Sequence, residues 1–246
     1  MSAMGPGSAT RPGLLRPGSA MPSGPAIRSV FRRYAVAWLY LGAVCGTEIV
    51  YALLSPHDRA AALRFASTNV HNLAHDPVGS LIASAFFPTS ALTAWPLLIA
   101  FSMFGANAVL GNWRTAVTCA AGNVIGTLVS EGILWYRISN STMPASDRFI
   151  IDVGPSYVVV TAIAVALIWG GWLARGAAAI ALAALVVVGQ IFSGLSHLTV
   201  APVGHVTALI VGATLGSLMA WQHRRRTEEA MAPLPSAHTP GPDTSG

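Results

Sequence analysis

The stretch Asp152-Val153-Gly154-Pro155-Ser156-Tyr157 stands directly before one of several long apolar segments of the chain. Gly154 as a cap followed by Pro155 at the first helical position predicts that a helix begins here, because an N–H at that position would have no partner anyway. Ser156 then falls in the first turn, where backbone N–H groups have no intrahelical partner. Such N–H groups stabilise a developing oxyanion, so Ser156 is a candidate nucleophile.

The composition indicates a membrane protein that crosses the bilayer several times. The 246 residues are 53% hydrophobic and only 9% charged, whereas about a quarter of the residues of a soluble domain are charged. The net charge of +5 comes from arginines at the chain ends and in loops. This pattern is typical of membrane topology, and we predict no nucleic-acid partner. Cys45 and Cys119 lie in apolar runs without metal-type spacing, so we predict core residues and no metal or cofactor.

Six apolar segments predict an all-α, polytopic bundle of six transmembrane helices. The predicted spans cover roughly residues 34–54, 91–110, 115–136, 154–172, 176–192 and 203–221. The membrane domain is therefore predicted over residues 34–222. Residues 1–33 are rich in glycine, proline and serine and predict a disordered cytoplasmic N-terminal tail. Residues 223–246 predict a disordered cytoplasmic C-terminal tail.

The long connection between the first two spans is mixed in character. Residues 58–65 predict a short amphipathic helix on the membrane, and residues 80–90 predict a segment that dips into the interface. His71 and His75 are four residues apart and would share one helix face, as metal ligands can. No convincing fourth ligand accompanies them and Pro77 ends any helix there, so a polar interfacial loop is the favoured interpretation.

An even number of spans places both termini on one side of the membrane, and the arginines indicate which side. One side holds the N-terminal tail, Arg114, Arg175 and Arg224 to Arg226; the other holds Arg59, Arg64, Arg137 and Arg148, which are offset by Asp58, Asp76, Asp147 and Asp152. The excess of arginine predicts that the first side is cytoplasmic. Ser156 and His205 then both lie near the extracytoplasmic ends of their helices.

His205 is the only histidine well inside a predicted span, and this makes it a candidate base for Ser156. A serine and a histidine in contact suit acyl transfer, chiefly peptide hydrolysis. The alternative is structural, because serines in spanning helices usually serve packing and a lone histidine often bonds across helices. Glu48 and Glu131 are acids within spans, and each is either a functional group or a side chain that reaches the interface.

These residues resemble motifs of the rhomboid family of intramembrane serine proteases. The family places its nucleophile in Gly-x-Ser-Gly at the start of the fourth of six helices, which corresponds here to Gly154-Pro155-Ser156-Tyr157. It places its base in the sixth helix as His-x-x-Gly-x-x-x-Gly, which corresponds to His205, Ala208 and Gly212, with Gly216 continuing the stripe. Gly122 and Gly126 form a similar pattern in the third span. The resemblance implies that small residues bring these helices close enough for Ser156 and His205 to touch.

The chain also departs from the family pattern. Rhomboid proteases carry His-x-x-x-Asn at the start of the second helix to help hold the oxyanion, and the corresponding positions here lie near Ala91 and Trp95. Tyr157 replaces the glycine after the nucleophile, and Pro155 has no N–H to donate. Each lost oxyanion donor typically costs ~10²–10³ in rate. The candidate substitutes are Gly154, Tyr157 and Asn123. The closest resemblance is to divergent rhomboid-like proteins of bacteria, which implies an inner-membrane location.

Three functions follow as hypotheses. The first is an intramembrane serine protease that uses Ser156 and His205 to cleave a transmembrane helix of a substrate in the lipid bilayer. The second is a pseudoprotease that binds membrane helices of a client without cleaving them, motivated by the missing His-x-x-x-Asn pair. The third is a small transporter or channel, motivated by Glu48, Asn123, Glu131 and His205 at membrane depth. No inverted repeat in the sequence supports the third hypothesis.

Overall fold

The computed structural model describes residues 24–88 and 94–231, and every regular element in these ranges is helical. The helices are α1 (Gly24–Arg33), α2 (Ala35–Leu53), α3 (Pro56–Ala66), α4 (Val70–His75), α5 (Pro77–Ser84), α6 (Ala94–Leu110), α7 (Asn112–Ser139), α8 (Ser156–Trp169), α9 (Trp172–Val187) and α10 (Val200–Met231). Two short 3₁₀ helices cover Ala145–Phe149 and Leu195–His197. The predicted all-helical class is confirmed for the described residues.

An apolar helix overlaps each of the six predicted spans in sequence, but the six helices differ in length. Among the described residues, the three that are long and apolar enough to cross a membrane are Ala35–Leu53, Asn112–Ser139 and Val200–Glu229. Helices α6, α8 and α9 are apolar but have 17, 14 and 16 residues. Fourteen residues reach only about 21 Å, against ~30 Å for the hydrocarbon core of a bilayer. The number of six spans therefore stays a prediction.

Helix α8 is the centre of the bundle. Every residue from Tyr157 to Ala166 is buried, and the helix contacts α6, α7, α9 and α10. A helix that is apolar on all sides fits this position, because it has no face toward solvent. The end of the bundle at which α8 begins is called the Ser156 end below. The end at which α8 finishes is called the opposite end.

Small residues bring α7 and α10 close to this central helix. The five predicted packing positions lie in helices that contact α8: Gly122 and Gly126 on α7, and Ala208, Gly212 and Gly216 on α10. A Cβ atom on Gly122 would overlap the side chain of Thr161. A Cβ atom on Gly212 would lie 2.5 Å from the carbonyl oxygen of Thr161, and one on Gly216 would lie 2.5 Å from Cγ2 of Val165. Thr161 therefore lies where α7 and α10 both pack closely against α8.

Described residues of both predicted tails are helical, whereas the domain boundaries at 34 and 222 stay a prediction. Gly24–Arg33 forms α1, whose last carbonyls accept hydrogen bonds from two asparagine side chains: Asn107 Nδ2 donates to Arg33 O (3.0 Å) and Asn112 Nδ2 donates to Arg32 O (2.7 Å). These bonds hold a helix that could not bury a core by itself. At the other terminus α10 continues to Met231, past the predicted end at 222. The rest of both predicted tails, residues 1–23 and 232–246, lies outside the described residues.

The boundary between the fourth and fifth helices also differs from the prediction. Helix α8 ends at Trp169 and α9 begins at Trp172, so Arg175 lies within α9 rather than between the predicted spans 154–172 and 176–192. Gly170 and Gly171 stand between them with extended backbone. Glycine weakens a helix interior, and two in succession end it.

The connection after α2 contains three short helices. The predicted helix over residues 58–65 is α3, which begins after Ser55 with the Ser55 hydroxyl accepting from Asp58 N (3.2 Å). The predicted loop around His71 is α4, and α5 follows it. Asn69 caps α4 by accepting from Asn72 N, and Asp76 caps α5 by accepting from Gly79 N, each at 2.9 Å. The prediction missed these helices because it took capping residues for loop residues. The predicted interfacial segment continues to residue 90, of which 89–90 lie outside the described residues.

Candidate functional site at the start of the central helix

The chain enters α8 through a turn that requires glycine. Gly154 has a φ of +141°, a conformation that favours glycine. Its N–H donates to the carbonyl oxygen of Ser84 at the end of α5 (3.0 Å). Pro155 occupies the cap position, so Ser156 is the first helical residue, one position later than the sequence pattern indicates. The turn is thereby held against the α5 segment.

Ser156 lines a small polar cavity at this turn. The cavity has a volume of about 10 Å³, which is close to the space that one water molecule needs. Asn123 and Thr127 also line it. Asn123 Nδ2 already donates to the carbonyl oxygen of Leu81 (3.1 Å), whereas the buried hydroxyl of Thr127 has no partner among the described residues. Within the same residues, no hydrogen bond joins Ser156 to His205.

His205 is buried in α10 with only one of its ring nitrogens engaged. Nδ1 lies 2.9 Å from the carbonyl oxygen of Ile191. A carbonyl oxygen only accepts, so Nδ1 carries the proton in this contact. Nε2 is buried without a partner in the described part of the chain. A neutral His205 with this tautomer has a free lone pair on Nε2.

The side chain that meets His205 is Tyr157. The two ring centroids are 5.1 Å apart, with an interplanar angle of 79°. A Cβ atom on Gly204 would overlap the ring of Tyr157, and one on Gly126 would lie 3.5 Å from it. The two glycines therefore make room for the tyrosine between α7, α8 and α10. The sequence prediction placed Ser156 in this contact; the structure places its neighbour there.

Asp152 is the polar anchor of the site, a role that the sequence motif did not predict. The hydroxyl of Tyr157 donates to Asp152 Oδ2 (2.9 Å). The backbone N–H of Asp152 donates to Ser67 Oγ (2.9 Å), and its carbonyl oxygen accepts from Thr68 N (2.9 Å) and Thr68 Oγ1 (3.0 Å). Burial raises the pKa of Asp152 to about 6, although hydrogen bonds from Tyr157 and Thr68 oppose the shift. Asp152 therefore ties α8 to the α3–α4 connection.

The two acids predicted within spans have different surroundings. Glu131 of α7 is 2% exposed, and the backbone of Val70 in α4 is the polar group that approaches its carboxylate. It interacts electrostatically with Asp152 and Tyr157 and therefore belongs to the site. Glu48 lies on α2 and is half-buried. No hydrogen bond joins Glu48 to the site residues that the structure describes.

His71 and His75 form a contact between elements at the same end. Their rings are 4.4 Å apart, and the ring of His71 lies 4.9 Å from that of Phe149 in the first 3₁₀ helix. His75 Nδ1 lies 2.7 Å from the carbonyl oxygen of His71. Within residues 24–88 and 94–231, no group of three or more histidine, cysteine, aspartate or glutamate side chains is placed to hold a metal ion.

An apolar cleft adjoins Asp152 at the Ser156 end. Its volume is about 420 Å³, and its walls come from the end of α7, residues 143–152 and the start of α10. Ile151 and Leu198 line it and are 47% and 50% exposed. Arg137 closes one side by donating to the carbonyl oxygens of His197 (2.8 Å) and Leu198 (3.4 Å). This cleft could not be predicted from the sequence, because loop segments far apart in sequence form it.

Comparison with known proteins identifies the class to which this bundle belongs. The family model described as "Rhomboid-like protein" matches residues 29–224. The match covers most of the chain, including α2 to α9 and most of α10, so the chain belongs to the rhomboid-like protein family. This confirms the resemblance that the motifs indicated and identifies a membrane protein. No curated protein and no solved structure matches the chain.

Proposed function

We propose that this rhomboid-like protein binds a membrane helix of a client protein and does not cleave it. The observation that carries the proposal is the contact between Tyr157 and His205. A serine nucleophile needs a base within hydrogen-bond reach, and the position beside His205 is filled by a different side chain. Gly126 and Gly204 leave the space that the Tyr157 ring occupies. A tyrosine built into the packing in this way favours a binding role over hydrolysis.

The apolar cleft beside Asp152 is the place where we expect the client to bind. Exposed apolar side chains grouped in a concave surface are typical of binding sites. Ile150, Ile151 and Leu198 provide such a group. The cleft lies at the Ser156 end of the bundle, so it suits the end of a client helix and the residues that follow it.

A photo-crosslinking amino acid at Leu198 tests this proposal in cells. The matched control is the same amino acid at Ile180, which is 62% exposed on α9 and does not line the cleft. We expect a discrete crosslinked partner from position 198 only, and loss of the crosslink when Ile151→Arg is added. Equal crosslinking from both positions would contradict the proposal, because it would indicate random contact in the membrane.

A second candidate function is a serine endopeptidase that uses Ser156 and His205. One observation favours it: the proton on Nδ1 leaves Nε2 of His205 in the form that a general base requires. Ser156 also lies in the first turn of α8 beside a polar cavity. This function requires Tyr157 to move away from His205. Asn123, Gly154 and Tyr157 stay the candidate oxyanion donors.

Labelling with a fluorophosphonate probe separates the two functions. The purified protein would be compared with Ser156→Ala and His205→Ala. The binding proposal predicts that none of the three proteins is labelled. Labelling of the wild type that is lost in both variants would show an activated serine and would support the protease instead.

For the topology, we propose six spans with both termini in the cytoplasm of a bacterium and the membrane domain in its inner membrane. The arginines support this orientation, because Arg114, Arg175 and Arg224 lie at the opposite end of the bundle from Ser156. An impermeant maleimide should label Ser141→Cys but not Thr227→Cys in intact cells, in a background lacking Cys45 and Cys119. The reverse pattern would overturn the orientation.

A further inference from the structure

A second cavity lies among α2, α5, α6, α7 and α8, and Asn123 stands in the wall between it and the small polar cavity at Ser156. Its volume is about 290 Å³. Its lining is almost entirely apolar and includes Met103, Ala120 and Val158. The two polar side chains in the wall are already engaged, since Tyr40 donates to Ala85 O (2.7 Å) and Asn123 donates to Leu81 O (3.1 Å). The cavity therefore suits an apolar ligand.

The cavity follows one face of α7 and opens toward the membrane. Ala116, Ala120 and Val124 line it at intervals of four residues, and Asn112 precedes them on the same face. Ala120 is exposed, and Ile82 at the rim is 60% exposed. A ligand can therefore enter from the bilayer without passing through water.

The size of the cavity favours a hydrocarbon chain over a helix. An apolar cavity of about 150 Å³ holds the six carbons of benzene, so 290 Å³ has room for roughly a dozen carbons. One turn of a helix 10 Å across occupies roughly 420 Å³ on the same geometry. A client helix would not fit without separating α2 from α7, whereas the tail of a lipid would.

Charged side chains stand where the cavity reaches the opposite end of the bundle. Asn112 joins the cavity wall to α1, because its Oδ1 accepts from Val36 N (3.3 Å) and its Nδ2 donates to Arg32 O (2.7 Å). Arg28, Arg32 and Arg33 are exposed on α1. In the described part of the chain, no carboxylate forms an ion pair with them. Guanidinium groups pair well with phosphate, and arginines on a surface helix attract anionic lipids.

We propose that this cavity binds one acyl chain of an anionic phospholipid whose phosphate lies at Arg32, with Arg28 beside it on α1. Asn112 connects the apolar cavity to the positively charged helix α1. This arrangement is complementary to a phospholipid, in which an apolar chain is attached to a negatively charged phosphate. The site is independent of the cleft beside Asp152, and its test does not depend on client binding or on catalysis.

The test is a lipid titration of the purified, delipidated full-length protein followed by native mass spectrometry. Dioleoyl phosphatidylglycerol and dioleoyl phosphatidylcholine are the two probes. We expect one phosphatidylglycerol molecule to bind more tightly than any further phosphatidylglycerol molecules. We also expect it to bind more tightly than phosphatidylcholine. Arg32→Gln should weaken that binding about fivefold. Arg226→Gln makes the same charge change on the exposed end of α10 and should leave it unchanged.

A second variant fills the cavity. Ala120→Trp should abolish the tight binding, whereas Ile180→Trp on the exposed face of α9 should not. Because Ala120 is exposed, we expect the fold to tolerate the larger side chain. If Ala120→Trp does not fold, Ile82→Trp at the rim of the cavity makes the same test. Binding that is equal for both lipids, equally weakened by Arg226→Gln, or unaffected by both cavity variants would overturn the proposal. A client helix crosslinked within the cavity would also overturn it.

Discussion

At the scale of single residues, the site depends on how Tyr157 is held. Its hydroxyl donates to Asp152, its ring meets His205, and the side chain is only 4% exposed. Tyr157→Phe keeps the ring and removes the hydrogen bond. Because a buried acceptor then loses its donor, we expect the free energy of unfolding to fall by about 1–3 kcal/mol. Denaturant unfolding in detergent measures this loss. Tyr136→Phe, at an exposed tyrosine of α7, should change it by much less.

The raised pKa of Asp152 predicts a pH-dependent stability. The pKa is about 6 in the folded protein and 3.8 as the ordinary value. Between these values the folded protein binds more protons than the unfolded chain, so this carboxyl makes the free energy of unfolding decrease as pH rises from about 4 to 6. Asp152→Asn should remove that decrease. The free energy of unfolding of the wild type and of Asp152→Asn, measured across this pH range, provides the test. The same pH dependence in both proteins would contradict the prediction.

Part of this site could be predicted from sequence. The motif around Ser156 and the lone histidine at position 205 identified the correct end of two helices, because glycine, proline and membrane-depth histidine carry local signals. The partner of His205 could not be predicted in the same way. Whether Ser156 or Tyr157 faces it depends on space left by Gly126 and Gly204 on two other helices, and no local pattern records that space.

At the scale of helices, the central feature is that glycines let α7 and α10 pack closely against α8. Gly204 lies where a Cβ atom would overlap the ring of Tyr157. Gly204→Ala should therefore force α10 away from α8 and lower the free energy of unfolding by about 1–3 kcal/mol. Gly132 on α7 has no atom within 4 Å of its virtual Cβ, so Gly132→Ala should be neutral or stabilise the helix by up to about 1 kcal/mol. Thermal unfolding of both variants in one detergent makes the comparison.

Helix boundaries show where sequence patterns reach their limit. The approximate positions of the six apolar helices in the chain could be predicted, because each helix contains its own run of apolar residues. The ends depend on neighbours: α1 extends to Arg33 because Asn107 and Asn112 bond its last carbonyls. The capping roles of Asn69 and Asp76 were local and could have been read from the sequence as N-caps.

At the scale of the whole molecule, the two ends of the bundle have different chemistry. The Ser156 end holds the buried acids Glu131 and Asp152 together with an apolar cleft. The opposite end holds arginines over aromatic rings, with Arg224 4.7 Å from the ring of Trp169 and Arg225 3.9 Å from that of Trp221. Arginine–aromatic pairs at a membrane boundary combine charge with an apolar surface. This difference fits our proposals that a client binds at the Ser156 end and a lipid phosphate at the opposite end.

The binding proposal makes a prediction for the protein in its cell. If a deletion of the gene has a phenotype, Ser156→Ala should restore function fully, because the serine hydroxyl makes no hydrogen bond to a base in the described structure. Leu198→Arg should fail to restore function, because it places a charge in the apolar cleft. Immunoblotting of the membrane fraction must show equal amounts of both proteins. Ser156→Ala that is folded and abundant yet inactive would assign the function to the serine and favour hydrolysis over binding.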